Sequence, residues 1–170
     1  MVLTHIAIAL WAVLVPGPAQ ASPPQAEASM SFELSVPPDT ALPLFGPVRE
    51  TEWSPTWQPR FIAPADGSNS QEGTVFTIGS ESGRSVWILN EYSVPRQSIR
   101  YTVVGPDRTT EIHVQLTPRP GGHSEVRVTE RVTALSREGE QIVSGFREHF
   151  ATQGEHWRSA IETRLQSKPR

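Results

Sequence analysis

Between Gly73 and Leu135 apolar and polar residues alternate in short runs, each closed by turn-forming residues. Gly73 to Ile78 is rich in β-branched and aromatic residues and stops at Gly79-Ser80-Glu81-Ser82-Gly83. Ser85 to Tyr92 follows, then a turn around Val94 to Gln97, then Ser98 to Val104, which ends at Gly105-Pro106-Asp107. Arg108 to Thr117 sets Ile112, Val114 and Leu116 on one side and Glu111, His113 and Gln115 on the other. Beyond the turn Pro118 to Gly122, the run Glu125 to Leu135 sets Val126, Val128 and Val132 against Arg127, Thr129, Arg131 and Thr133. A period of two with short connections predicts an antiparallel meander, wet on one face and covered on the other.

The cover comes from the segment that follows. From Ser136 to Gln166 the apolar residues Ile142, Phe146, Phe150, Trp157, Ile161 and Leu165 step by four, four, seven, four and four, which keeps one stripe on one side of a helix. Ser136 followed by Glu138 and Glu140 suits the start, where acids favour the positive end of the dipole. Gly154 costs such a helix about 1 kcal/mol relative to alanine and is the expected place for a kink. Ahead of the meander, Ser31 to Val36 alternates like a first strand. Pro37 to about Trp53 suggests one or two short helices, and Trp57 to Ala63 then enters the sheet. Sheet first and long amphipathic helix last make the chain α+β.

The amino-terminal segment reads as an address. An apolar run from Ile6 to Val15 is followed by Pro16-Gly17-Pro18 and then Ala19-Gln20-Ala21. That is the length and ending of a secretory signal peptide, and it is shorter than the ~20 apolar residues of a membrane span. Met1 to His5 holds no Lys or Arg, which departs from the usual signal-peptide start. The expected organisation is a signal peptide over 1–21, a Pro/Ala-rich linker over 22–29, one domain over 30–167 and a tail over 168–170, giving an exported protein, periplasmic or secreted. No integral membrane span is expected once the signal is cleaved.

Composition narrows the chemistry. The sequence has no cysteine, which excludes disulfides, thiolate nucleophiles, Cys-ligated zinc and a lipid-anchored cysteine. Lys+Arg 15 against Asp+Glu 18, with the signs interspersed, gives no basic stripe for a phosphate backbone, so no nucleic-acid partner is expected. Lys168 is the only lysine, and its terminal position leaves little scope for a Schiff base. His149 and His156 would share a helix face about 10.5 Å apart, too far for one ion, and no His-Glu-x-x-His motif occurs. Neither a metal nor a cofactor is expected. A Gly-x-Ser-x-Gly elbow, a Ser-x-x-Lys pair and a P-loop are absent from the sequence.

Several short motifs then fall in register. Glu50-Thr51-Glu52-Trp53-Ser54-Pro55-Thr56-Trp57-Gln58-Pro59 forms a Glu-x-x-Trp-x-Pro-x-Trp-x-Pro run. It is followed in order by Gly73-Thr74-Val75-Phe76, Val86-Trp87, Ile99-Arg100-Tyr101 and Thr133-Ala134-Leu135-Ser136-Arg137-Glu138-Gly139. Together they resemble an uncharacterised bacterial branch of the START-like, or SRPBCC, superfamily, which includes birch-pollen-allergen-like and polyketide cyclase/dehydratase-like proteins. The resemblance covers roughly Ser31 to Leu165. It implies a helix-grip fold, a curved seven-stranded antiparallel sheet around the C-terminal helix, with short helices after the first strand and an elongated apolar cavity between sheet and helix. Members bind lipids, sterols, polyketides or plant metabolites there, and some catalyse cyclisation, dehydration or hydrolysis.

Glu130 is the most informative residue, because it falls among the even positions of the last strand that face the core. A carboxylate there is costly to ionise without a partner, and a raised pKa would suit a general acid or base. A β-bulge turning it to solvent, or a pair with Arg100 or Arg147, is the structural alternative. Trp53, Trp57, Trp87 and Tyr101 offer aromatic area for a cavity wall or for ordinary core, with Phe146 and Phe150 facing them from the helix. Both faces of the Trp87 strand are apolar, so periodicity leaves its orientation open. Non-catalytic binding of a hydrophobic small molecule is the leading reading. A cofactor-independent cyclase, dehydratase or hydrolase using Glu130 is the second. An envelope interaction or stress protein with a filled cavity is the third.

Overall fold

A computed structural model describes residues 22–65, 67, 70–80 and 83–167. The expected signal peptide and the tail 168–170 lie outside the described residues. Seven strands form one antiparallel sheet: β1 (Gln25–Leu34), β2 (Arg60–Ala63), β3 (Val75–Ile78), β4 (Ser85–Ser93), β5 (Ser98–Val104), β6 (Arg108–Arg119) and β7 (His123–Ala134). Their order is β1-β7-β6-β5-β4-β3-β2. Every neighbour from β2 to β7 is thus consecutive in sequence, as a meander requires, and the first strand closes on the last. The short helices after β1 are α1 (Pro38–Ala41) and two 3-10 turns, Leu42–Phe45 and Arg49–Glu52. The helix-grip expectation holds.

The first strand starts earlier than the domain limits expected from sequence. Residues 22–29 read as a linker, yet β1 is paired with β7 without interruption from Gln25 opposite Thr133 to Leu34 opposite Ser124. The small side chains of Ala26 and Ala28 disguise its period of two. Ala26 is buried over Val132, while Gln25 bonds Thr133 and Glu27 pairs with Arg131 at 2.8 Å on the other face.

The C-terminal segment is two helices, α2 (Arg137–Ala151) and α3 (Gln153–Gln166). The break falls at Thr152, where the hydroxyl and the backbone N–H both donate to the His149 carbonyl. That local bond competes with the helical ladder. The weak point expected at Gly154 is instead the buried start of α3, seated on the Met30 side chain. α2 packs on β1 and β7, and α3 on β1. Among the described residues no helix is long and apolar enough to cross a membrane.

The start of α2 is locked to the β5–β6 turn. Ser136 Oγ accepts from the Gly139 N–H at 3.1 Å and donates to Asp107 Oδ1 at 2.8 Å. Leu135 N–H meets the Asp107 carbonyl at 2.7 Å. A Cβ on Gly139 would stand 1.9 Å from that same carbonyl oxygen, so only glycine lets the helix approach. Gly139→Ala is expected to cost about 2–3 kcal/mol although alanine favours helices. Gly145→Ala, where nothing lies within 4 Å, should add about 1 kcal/mol. Urea unfolding of the two variants checks the contrast.

Candidate functional site

β6 and β7 pair without a register break from Arg108 opposite Ala134 to Arg119 opposite His123. No bulge turns Glu130 outward. It sits in a row that crosses the sheet through directly opposed residues: Ala28, Glu130, Ile112, Tyr101 and Leu89. Opposed residues share a face, and Leu89 and Tyr101 in this row are buried. Glu130 therefore points to the covered side. The two cations expected as partners are engaged elsewhere: Arg100 pairs with Glu91 at 3.2 Å, and Arg147 donates to the Glu27 carbonyl at 3.1 Å.

Two clefts meet at Glu130. One, of about 430 Å³, lies between the sheet and α2, with Glu130, Arg108 and Thr110 on one wall and Phe146, His149, Phe150 and Trp157 on the other. The second, of about 350 Å³, runs toward the β3–β4 and β5–β6 turns past Trp87, Val103, Asp107 and Ile112. Arg108, Thr110 and Glu130 border both. Burial pushes the Glu130 carboxyl up to about 7, with Arg108 pulling the other way.

Sequence reasoning missed a second acid. Glu50, on the 3-10 turn Arg49–Glu52, is 9% exposed. Burial raises its carboxyl well above the ordinary range, and the Glu130 charge adds to the effect. The Glu50 charge in turn reaches Tyr101, whose hydroxyl burial already holds strongly in its neutral form. Its neighbour Glu52 has the opposite fate, exposed enough to pair with Arg49 at 2.9 Å and Arg164 at 2.8 Å. The turn ties Glu50 to the buried Trp53 through the backbone, the Trp53 N–H meeting the Glu50 carbonyl at 3.3 Å. No local pattern in the sequence separates Glu50 from Glu52.

The predicted aromatic residues divide between the clefts and the core. Trp87, Phe146 and Phe150 line the clefts. Tyr101 and Trp53 are core, the first donating to the Phe45 carbonyl at 2.8 Å and the second to that of Leu44 at 2.7 Å. Trp57 lies toward the β2 edge, beside Arg60, Phe61 and Ile78, and donates to the Pro47 carbonyl at 2.9 Å. The orientation of Trp87 is also settled. Trp87 and Leu89 face inward, a register shift between Leu89 and Glu91 follows, and Tyr92 takes the inward place after it. Much of the trough is solid: Phe76 stacks on Trp87 at 5.8 Å and meets Trp57, Phe61 and Tyr101, while Trp53 packs on Trp157 at 5.6 Å. The elongated cavity implied by the resemblance is here filled by rings along part of its length, and the two clefts open at the Glu130 end.

An antiparallel sheet holding C-terminal helices, short helices after the first strand and clefts beneath the helix define a START-like helix-grip fold. The chain is similar in structure to norcoclaurine synthase from Thalictrum flavum, at 12% identity over 92% of this chain and 99% of that one, with a TM-score of 0.60. It is also similar to a START superfamily protein from Mycobacterium smegmatis, at 16% identity over 82% and 97%, TM-score 0.56. CalU16 from Micromonospora echinospora matches at 14% identity over 85% and 76%, TM-score 0.58. At these identities the likeness establishes the fold and leaves the chemistry open. No protein-family model matches the chain, and no curated protein matches it in sequence.

Proposed function

We propose that this protein binds an apolar small molecule in the clefts beneath α2, and does so outside the cytoplasm. The observation that carries the reading is Glu130, a carboxyl on the covered face of an unbroken strand, bordering open space walled by Phe146, Phe150, Trp157 and Trp87. On the α2 side, aromatic walls converge with polar groups, among them Glu130, Arg108 and His149, as small-molecule sites combine apolar area with placed polar atoms. START-like neighbours support the binding part. Export rests on the apolar run and Ala-Gln-Ala ending within residues 1–21.

A thermal-shift screen over fatty acids, sterols, aromatic polyketides and hydrophobic amines, read beside native mass spectra of the purified protein, tests the binding. A true ligand at a hundred times its Kd adds about 2.7 kcal/mol, or a rise of about 5–10 °C. No shift and no adduct with any class removes the reading. Amino-terminal sequencing of the envelope or secreted fraction tests the export.

A second reading has one observation in its favour. A carboxyl lifted to about 7 beside an open cleft is suited to proton transfer near neutral pH. A cofactor-independent cyclase, dehydratase or hydrolase would use Glu130 as its acid or base. Turnover lost in Glu130→Gln with the fold intact would support it.

A further inference from the structure

We propose that the bound molecule is an elongated, apolar secondary amide that lies across the strands and spans both clefts, its amide held at mid-length by Arg108, Thr110 and Glu130. The inference rests on the binding reading and names the shape and chemical class of its ligand.

The floor of the site is a row of directly opposed residues. Val132 on β7 faces Thr110 on β6, Thr110 faces Val103 on β5, and Val103 faces Trp87 on β4. Opposed residues share a face, and this is the covered one, since Val132, Thr110 and Val103 are all buried. Val132 lines the cleft beneath α2, Val103 and Trp87 line the second, and Thr110 lines both. The row therefore runs from one cleft into the other as a single strip. Three interstrand steps of about 4.8 Å make it about 14 Å long. Phe146 and Phe150 wall one end. At the other, the Trp87 indole N–H is already given to Ser85 at 2.9 Å, which leaves its ring as the surface on offer. The strip is apolar, with one hydroxyl between its ends.

Two longer polar groups flank that hydroxyl on opposite sides. Arg108 precedes Thr110 by two residues on β6, and Glu130 stands opposite Ile112, two residues beyond it. Both border both clefts. Same-face positions along a strand are about 6.7 Å apart, so the strip has a donor-only guanidinium on one flank and a carboxyl on the other. Among the described residues the side chains of Arg108, Thr110 and Glu130 have no hydrogen-bond or ion-pair partner. The sealed unpaired polar atoms of the described residues are elsewhere, at Gln97 and Ser124, so all three groups stay reachable from the clefts.

This arrangement selects a ligand. A trans secondary amide is planar, and its C=O and N–H point to opposite sides of the chain axis. Laid along the strip over Thr110, it turns the carbonyl to Arg108 and the N–H to Glu130, with an apolar arm in each cleft. A fatty acid carries its charge at one end, so it fills one cleft and sets a carboxylate beside Glu130. A terminal amine likewise fills one cleft and sets its charge beside Arg108. A hydrocarbon leaves the three polar groups unmet, which weakens its binding.

Titration calorimetry with N-benzyl-2-phenylacetamide and its isostere 1,4-diphenylbutan-2-one tests the proposal. The ketone has a methylene in place of the N–H and is the more apolar, so a trough without polar contacts binds it tighter. The amide should instead bind at least tenfold tighter than the ketone. Glu130→Leu should reverse that preference, and Glu130→Gln, whose side-chain oxygen accepts the same N–H, should retain it. Two obstructions test the spanning. Gly145→Leu fills the cleft beneath α2, where a Cβ meets nothing within 4 Å, and Val103→Phe fills the second. Each should weaken amide binding at least tenfold. Gly83→Leu, where a Cβ also meets nothing within 4 Å, obstructs the second cleft should Val103→Phe fold poorly. An effect from one obstruction only, or a ketone bound as tightly as the amide, overturns the amide assignment and leaves the binding reading standing. Failure of both probes beside a positive ligand screen does the same. Failure of both with a blank screen removes both.

Discussion

Phe76→Ala should be among the most damaging single substitutions in the domain, costing about 3–5 kcal/mol. The side chain is fully buried, and its ring lies 5.7 Å from Trp57, 5.8 Å from Phe61, 5.8 Å from Trp87 and 6.3 Å from Tyr101. Removing it loses the transfer free energy of a phenyl group and leaves a void that the four neighbouring rings can fill only in part. Tyr101 is tied to the Phe45 carbonyl and Trp57 to that of Pro47, so neither can swing in freely. Domains of this size are stable by about 5–15 kcal/mol in all, so the variant should retain little reserve. Urea unfolding followed by tryptophan fluorescence measures it. A loss below about 1 kcal/mol would mean that the ring cluster does not hold the trough together.

Glu130→Gln is expected to stabilise the protein above neutral pH. The folded-state pKa is raised from 4.5 to about 7. The stability tied to the neutral carboxyl is therefore fully present below 4.5 and is lost as pH climbs through 7. At 1.36 kcal/mol per pKa unit, the loss by pH 8 is about 3 kcal/mol. Glutamine keeps the shape and carries no charge, so it escapes this loss. The variant and the parent should melt together at pH 4 and separate by about 3 kcal/mol at pH 8. The difference between them matters more than either profile alone, because Glu52 works in the other direction. A hydrogen bond from Arg49 holds the Glu52 carboxyl below its usual value, so its contribution disappears as pH falls. Unfolding free energies at four pH values decide the matter. Parallel profiles would show Glu130 to be solvated.

The inward direction of Glu130 was legible because parity along an unbroken strand carries through Val126, Val128 and Val132 on either side of it. Glu50 was not legible in the same way. Arg49-Glu50-Thr51-Glu52 shows two acids with similar neighbours, and only the packed turn makes one buried and the other an ion-pair partner. The strand carrying Trp87 is apolar on both faces, and the register shift after Leu89 changes which parity points inward. The opening of β1 at Gln25 leaves little trace in the sequence because alanine contributes too little hydrophobic contrast to mark a face. Intrinsic propensity ranks glycine as the weaker residue and so points to Gly154 in place of Thr152. The hydroxyl bond to His149 decides the site instead.

Local alternation and turn residues determined the meander, the amphipathic ending and their order, because each depends on neighbours a few positions apart. The tertiary structure decided how much of the trough is filled and which acids share its interior. Those depend on rings and carboxyls brought together from β3, β4, β5, β7, α2 and the 3-10 turn. Side chains so far apart in sequence leave no common period. Their packing, and the loss of water around Glu50 and Glu130, exist only once the sheet has closed on its helices.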